Sequence, residues 1–172
     1  LADLPASDTI IQAMSGVMSL VGEPDGPPLR VGFPLIDMAA AGYAVQGILL
    51  ALLGRQQGQG GANLDISLMA AAVGFMGAGY TRYLASGKVP LRQGNQNPIL
   101  APAGAFAGSD GRYLSLAVLR DEHWLKLCEA MSLGDLVGDP RFATNELRVR
   151  NRAALDEVIV PMLASAPAAS WI

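Results

Sequence analysis

The feature that most constrains the fold is an apolar run at residues 31–56, which reads VGFPLIDMAAAGYAVQGILLALLGRQ. Pro34 followed by Asp37 is a helix start signal, and the Ala, Val, Ile and Leu residues after it carry a helix to the end of the run. Residues 38–53 are nearly all apolar, but these 16 residues include Gln46 and fall short of the roughly 20 that span a bilayer. The pattern therefore predicts a helix buried in a protein that does not cross a membrane.

Asp37 is the one carboxylate near the start of this apolar run, and its position is compatible with two roles. As an N-cap it would accept hydrogen bonds from first-turn amides and stabilise the helix by roughly 1 kcal/mol. As a nucleophile it would gain from the small side chains of residues 39–42, which leave room for a ligand, and from the helix N-terminus, which favours the ionised form. Local sequence favours the cap, and the two roles are compatible.

Shorter patterns flank the apolar run. Ser7 or Asp8 is a candidate N-cap for a helix, and the Pro- and Gly-rich residues 22–28 form turns. After the run, a Gly-rich turn leads to a short strand at residues 64–67 and then to a second buried helix at residues 68–85. The order helix, turn, strand, helix predicts an α/β layer.

The pattern changes in the second half of the chain. Residues 87–105 are marked by prolines and lack periodicity, which is typical of a functional or mobile loop. A strand pattern follows in DGRYLSLAV, and two amphipathic helix patterns follow in DEHWLKLCEAM and in ELRVRNRAALDEVIVPMLASA. The chain therefore divides into three predicted parts: a first domain at residues 1–86, a linker or active-site loop at residues 87–105, and a small α+β unit at residues 106–172.

Single copies of cysteine and histidine, Cys128 and His123, exclude a disulfide framework and a Cys/His metal site. We interpret Cys128 as a buried apolar residue and His123 as a surface residue of a helix whose core positions are Trp124, Leu127 and Met131. A net charge of −3 without a basic cluster argues against nucleic acid as a partner. The lone cysteine and the first ten residues, which resemble no signal peptide, predict a cytoplasmic protein.

Several motifs occur in order along most of the chain: IQAMSGVMSLVGEPDGPP, the step Asp37-x-x-x-x-Gly42 before GILLAL, RQQGQGGANLDISL, and GNQNPILAPAGAF followed by DGRYLSLAV. In order and spacing they resemble the family III CoA transferases, a group that also contains 2-methylacyl-CoA racemases. The resemblance implies a stretch from the middle of a longer chain. It further implies an α/β fold: part of a Rossmann-like large CoA-binding domain and the start of a small α+β domain, in an interlocked homodimer.

The resemblance also implies a reaction on Asp37, which falls on the family's catalytic aspartate. That aspartate attacks an acyl-CoA thioester to give a mixed anhydride and then an aspartyl-CoA thioester, which a second carboxylic acid resolves. CoA and acyl-CoA are then substrates, and no metal is needed. The loop that closes over these intermediates aligns with Gly94, Asn95, Gln96 and Asn97. Their amide side chains could donate hydrogen bonds to a carboxylate or oxyanion, although a plain linker suits this segment equally well.

A racemase on the same scaffold needs a general acid and a general base at one carbon. In this family its His position falls on Ser7, which cannot serve at pH 7, and its Glu position falls near Arg120, with Asp121 and Glu122 adjacent. Transfer of CoA between an acyl-CoA and a free carboxylic acid is therefore the preferred hypothesis. The alternatives are a 2-methylacyl-CoA racemase and an inactive fragment that acts only in assembly.

Overall fold

The computed structural model describes residues 5–172 and divides into two units, one ending at Gly94 and the other covering Asn95–Ile172. The boundary falls inside residues 87–105, the segment predicted to be a linker. The domain identities assigned to residues 1–86 and 106–172 stay predictions. Residues 1–4, which belong to the predicted first domain and to the stretch inspected for a signal peptide, lie outside the described residues.

The first unit is helical in its described part. It contains α1 (Asp8–Met14), α2 (Val17–Leu20), α3 (Leu35–Gln56), α4 (Leu68–Phe75) and α5 (Gly77–Ser86). The first predicted helix is interrupted at Gly16, whose φ of 83° lies in the left-handed region that glycine adopts without steric cost. The helix predicted at residues 68–85 breaks at Met76, because Gly74 and Gly77 on either side lower the helix propensity.

The predicted strand at residues 64–67 is wrong for the described chain. These residues form an irregular connection that ends at Ser67, the N-cap of α4, whose side chain accepts a hydrogen bond from Ala70 N. A strand needs a neighbour with which to exchange backbone hydrogen bonds. The described residues of this unit contain no such neighbour, so the short apolar alternation alone does not form a strand.

Helix α3 confirms the predicted helix but not its predicted burial. Ile36 and Ala40 are buried, whereas Leu49, Leu50 and Leu53 are more than half exposed. Among the described helices of this unit, α1 and α4 make the extensive contacts with α3. Because the apolar residues of α3 occupy all of its sides, these two neighbours leave many of them uncovered. By length and composition α3 is also the one described helix that could cross a membrane, a test that core helices of soluble proteins pass as well.

The first unit is held together by a small apolar core under the start of α3. Its buried members come from four different helices and are Ile11, Val17, Ile36 and Ala72, with Met69 and Met76 packed against them. The side chain of Tyr80 on α5 donates a hydrogen bond to Ser15 O at 2.8 Å and ties α5 to the end of α1. Met69 and Met76 are partly buried at the edge of this core.

The second unit combines a hairpin with helices. Strands β1 (Ala103–Ala107) and β2 (Tyr113–Ala117) pair antiparallel, with Ala103 opposite Ala117. The helices are α6 (Asp121–Ala130), α7 (Gly134–Val137), α8 (Asn145–Arg150) and α9 (Arg152–Leu163), followed by a 3-10 turn at Ala168–Trp171. The long helix predicted near the C-terminus is divided at Asn151, and β1 lies where a loop was expected.

Arg148 is the unexpected member of the second unit's core, since its side chain is fully buried. Its guanidinium donates to Ala101 O at 2.9 Å, to Phe142 O at 3.0 Å and to Asp121 Oδ1 at 2.8 Å. It also lies over the ring of Trp124, 5.1 Å from the centroid, a favourable cation–π distance. One side chain therefore links α8 to the residues just before β1, to the turn before α8 and to α6.

The apolar part of this core includes the positions that the sequence assigned to it. Trp124, Cys128 and Met131 are buried, and Leu127 packs against them. Burial raises the pKa of the Cys128 thiol, while the charge of the nearby Arg148 acts weakly in the opposite direction. Cys128 is therefore held as a neutral thiol inside the unit.

Cys128 should resist thiol reagents in the folded protein. Because the thiolate is the reactive form and the side chain is buried, we expect maleimide labelling at neutral pH to be at least about 100-fold slower than in denaturant. Peptide mapping by mass spectrometry after timed labelling measures the rate at this one position. Labelling of Cys128 at the same rate before and after denaturation would contradict the buried position.

Candidate active site

Asp37 lies in the first turn of α3, where its side chain is exposed. Within residues 5–172 its carboxylate has no hydrogen-bond or ion-pair partner. The neighbouring positions are small, and a Cβ at Gly42 would meet nothing within 4 Å. A ligand can therefore reach both oxygens of Asp37 from the side of α3 that faces solvent.

The helix is not capped by Asp37. The N-cap residue is Pro34, which has no side-chain acceptor, and the amide N–H groups of Ile36 and Asp37 donate instead to Asp8 Oδ1, at 2.7 and 3.4 Å. Asp8 therefore satisfies the first turn of α3 from α1, across 28 positions of sequence. The carboxylate of Asp37 is left unused by the fold.

Gln12 extends this arrangement along α1. Its Nε2 donates to Asp8 Oδ2 at 2.7 Å, and its Oε1 accepts from Val31 N at 2.9 Å. Asp8 and Gln12 are both buried. Two polar side chains one helical turn apart thus fix both ends of the segment that runs from Val31 to Asp37.

Asp37 does not line the cavities described in the first unit. One of about 260 Å³ is lined partly by Tyr43, Asp65 and Ser67, and another of about 200 Å³ is lined partly by Ser15 and Tyr80. Asp37 is therefore open to solvent in the first unit by itself.

The predicted loop residues fall in both units. Gly94 ends the first unit with φ at 56°, and its N–H donates to Gly22 O at 3.0 Å. Asn95, Gln96 and Asn97 begin the second unit. The structure thus assigns Asp37 and Gly94 to one unit and the three amides to the other.

The three amide side chains are used differently within the second unit. Gln96 Nε2 donates to Asp156 Oδ2 at 2.7 Å, so this donor is already engaged. Asn97 Oδ1 accepts from Ile99 N at 2.9 Å. The side chain of Asn95 is exposed. Asn95 and the free amide nitrogen of Asn97 are thus the better placed of these groups to donate to a ligand.

Helices α8 and α9 clamp the residues that follow these amides. Arg152 Nη2 donates to Leu100 O at 2.6 Å and to the carbonyl of Asn97, and Asn145 Nδ2 donates to Ile99 O at 2.8 Å. Burial raises the pKa of the Asp156 carboxyl, which Arg152 and the bond from Gln96 partly offset. Backbone carbonyls of the loop are therefore paired with fixed side chains.

The loop also crosses close over β1. A Cβ on Gly104 would collide with the carbonyl oxygen of Asn95, and Gln96 forms an isolated bridge with Gly104. Only glycine leaves room for this crossing without moving backbone. This glycine also weakens the strand signal of the β1 sequence, AGAFA, because glycine is depleted in strands.

The residues considered for a racemase are occupied in other ways. Ser7 takes the N-cap position of α1, Arg120 takes that of α6, and Asp121 is paired with Arg148. His123 is half-buried on α6. Residues 5–172 contain no group of three or more His, Cys, Asp or Glu side chains that could hold a metal ion.

Comparison with known proteins identifies the family. The model of CoA-transferase family III matches residues 1–172, and the chain belongs to this family. It is 37% identical over 173 residues to the acetyl-CoA:oxalate CoA-transferase of Acetobacter aceti, covering 100% of this chain and 44% of that enzyme. It is 34% identical to the succinate–glutarate CoA-transferase of Agrobacterium fabrum, covering 92% of this chain and 39% of that enzyme.

Solved structures agree with this assignment. A CaiB/BaiF family protein from Brucella suis matches with a TM-score of 0.77 and 38% identity, over 94% of this chain and 43% of that one. The hypothetical protein Rv3272 from Mycobacterium tuberculosis matches with a TM-score of 0.82 and 29% identity, over 98% of this chain and 44% of that one. The chain thus spans less than half the length of the relatives that it matches.

Proposed function

We propose that the full-length protein is an enzyme that transfers CoA between an acyl-CoA and a free carboxylic acid, with Asp37 as its nucleophile. The observation that carries the proposal is the exposed carboxylate of Asp37, which the fold leaves unpaired while Asp8 takes over the capping of α3. Family membership and relatives named as CoA-transferases support the same reaction class.

The proposed chemistry keeps the thioester's free energy in covalent bonds to Asp37. A carboxylate oxygen attacks the acyl carbonyl, the C–S bond breaks, and CoA departs as the thiolate. The product on the enzyme is an acyl-aspartyl anhydride. The thiolate then attacks the aspartyl carbonyl, which releases the donor acid and forms an aspartyl-CoA thioester. The acceptor carboxylate displaces the thiolate to give a second anhydride, and attack of the thiolate on its acyl carbonyl forms the new acyl-CoA and frees Asp37.

Local features of α3 support Asp37 in this role. The positive end of the helix dipole stabilises negative charge in the first turn, where Asp37 lies. Residues 39–41 carry only methyl side chains, and the space around Gly42 further along α3 is open, so the start of α3 leaves room for a substrate. Asn95 and Asn97 are proposed to hold substrate oxygens, with Gly94 and Gln96 as further substrate-binding positions of the same loop.

We also infer the wider organisation of the protein from its family. We propose a Rossmann-like large CoA-binding domain that includes α1 to α5, a small α+β domain that includes the second unit, and an interlocked homodimer located in the cytoplasm. The exposed leucines Leu49, Leu50 and Leu53 support burial of α3 against further protein rather than contact with water. The racemase alternative gains no support, because a serine, Ser7, stands at the position of the racemase His and the Asp121 carboxylate is paired with Arg148.

Chemical trapping tests the proposed intermediate. The full-length protein is incubated with succinyl-CoA or acetyl-CoA and hydroxylamine, then digested and mapped by mass spectrometry. We expect a hydroxamate on Asp37 that requires the acyl-CoA, because both the anhydride and the thioester react with hydroxylamine. A sample without acyl-CoA is the control.

Two outcomes would overturn the assignment. One is a hydroxamate on a different carboxylate, and the other is transfer from succinyl-CoA to glutarate, or from acetyl-CoA to oxalate, with Asp37 never marked. Incorporation of deuterium at C2 of a 2-methylacyl-CoA without any acceptor acid would favour the racemase instead.

A further inference from the structure

Asp8 and Gln12 form a buried polar pair directly beneath the start of α3. Asp8 is 8% exposed and Gln12 is fully buried, although neither charged nor amide side chains usually lie inside a small core. Each polar atom of Asp8 is used, since Oδ1 accepts from Ile36 N and Oδ2 accepts from Gln12 Nε2, both at 2.7 Å. Burial of this pair is therefore compensated by hydrogen bonds.

The polarity of the pair is determined at every link. A carboxylate only accepts, so Asp8 requires that Gln12 present its nitrogen. The oxygen of Gln12 then points the other way and accepts from Val31 N at 2.9 Å. If the Gln12 amide were flipped, its nitrogen would face the N–H of Val31, which is also a donor. Asp8 Oδ2 would then face the oxygen of Gln12 and lose its hydrogen bond.

This network is the main restraint on the first turn of α3 that carries Asp37. The N-cap Pro34 contributes no side-chain acceptor, so without Asp8 the amides of Ile36 and Asp37 would lose their partner inside the protein. A first turn without a cap frays, and a nucleophile on a frayed turn spends less time in the geometry of attack.

We propose that Asp8 and Gln12 are positioning residues that set the place of Asp37 for attack on the thioester. The proposal rests on the function proposed above. Neither residue touches the substrate; both act by fixing the backbone of the turn that bears the nucleophile. Their loss therefore lowers the rate of the covalent step more than the binding of the acyl-CoA.

A reversal of polarity tests the proposal in the full-length protein. D8N places an amide nitrogen against Gln12 Nε2, and Q12E places a second carboxylate against Asp8. We expect each single variant to lower kcat of CoA transfer about tenfold to a hundredfold with KM within about twofold. In the double variant, Asn at position 8 donates to Glu at position 12, which still accepts from Val31 N but loses the longer bond that Gln12 Nε2 donates to Phe33 O at 3.4 Å. We therefore expect a partial recovery, of about tenfold in kcat, over the single variants.

Amide hydrogen exchange gives a readout that does not depend on activity. Exchange of Ile36 and Asp37 should accelerate at least about tenfold in D8N and recover in the double variant. D135N, which changes an exposed Asp in the first turn of α7, is the matched control and should alter neither kcat nor this exchange.

The two proposals fail in different ways. If D8N leaves both kcat and exchange unchanged, or if the double variant restores neither, positioning by Asp8 and Gln12 is refuted. If the wild-type protein transfers no CoA, the proposed function fails, and the exchange measurements still decide whether this pair orders the turn of Asp37.

Discussion

Replacing Asp37 with alanine should abolish CoA transfer and leave the fold intact. The proposed reaction forms two kinds of covalent bond on this carboxylate, and no described neighbour could take its place in the same turn. We therefore expect kcat to fall at least about a thousandfold. Stability should change by less than about 1 kcal/mol, since Asp37 makes no side-chain hydrogen bond and contributes only through its charge near the helix N-terminus. Steady-state transfer from succinyl-CoA to glutarate, with parallel urea unfolding, measures both quantities.

The conservative variants of Asp37 make this result more specific. Asp37→Asn keeps the shape and removes the charge, so it should be as inactive as alanine. Asp37→Glu keeps the charge but moves it by one methylene, and activity between that of alanine and the wild type is expected. Asp135→Ala removes an exposed first-turn Asp elsewhere and is the control. Full turnover by Asp37→Ala would refute the nucleophile, whatever the variant's stability.

Replacing Arg148 with methionine should produce the largest loss of stability in the second unit. Methionine fills a similar length but leaves the carbonyls of Ala101 and Phe142 buried without donors and removes the cation–π contact with Trp124. Each orphaned carbonyl costs about 1–3 kcal/mol, so we expect the free energy of unfolding to fall by about 3–5 kcal/mol. Against a usual total of about 5–15 kcal/mol, this loss is large.

Arg150 provides a matched control two positions along the same helix. Its side chain is 68% exposed and pairs with Glu146 on the surface, so Arg150→Met should change stability by less than about 1 kcal/mol. Hydrogen-exchange mass spectrometry of α6 and α9 peptides in a urea series reports the unfolding of this unit in the full-length protein. Equal losses for Arg148 and Arg150 would show that burial of the guanidinium does not stabilise the core.

Local signals in the sequence predicted elements whose determinants are local. Helix α3 follows from Pro34, Asp37 and the apolar run, and α6 follows from an amphipathic pattern whose buried face carries Trp124 and Cys128. The interruption of the first helix at Gly16 is visible only in the backbone conformation, where this residue has a positive φ. The strand predicted at residues 64–67 failed because strand formation depends on a partner, which a one-dimensional pattern does not contain.

The site was only partly predictable for the same reason. Asp37 stood out as the single carboxylate of its segment, and the family motifs pointed to it. Asp8 was read as a cap for its own helix, whereas its larger role at α3 depends on a contact across 28 positions. Arg148 lies in a segment with an amphipathic helix pattern, and periodicity cannot reveal that three acceptors surround its guanidinium inside the core. Long-range hydrogen bonds of this kind have no local signature.

The contact between Gly104 and the backbone of Asn95 couples the evolution of two segments. A larger residue on the strand would push the GNQNP loop outward, and a longer loop would have to find another path across the strand. We therefore expect natural replacement of Gly104 to be accompanied by a change in the length or path of the loop above it. Substrate preference, if this loop governs it, would then be inherited through pairs of changes rather than single ones.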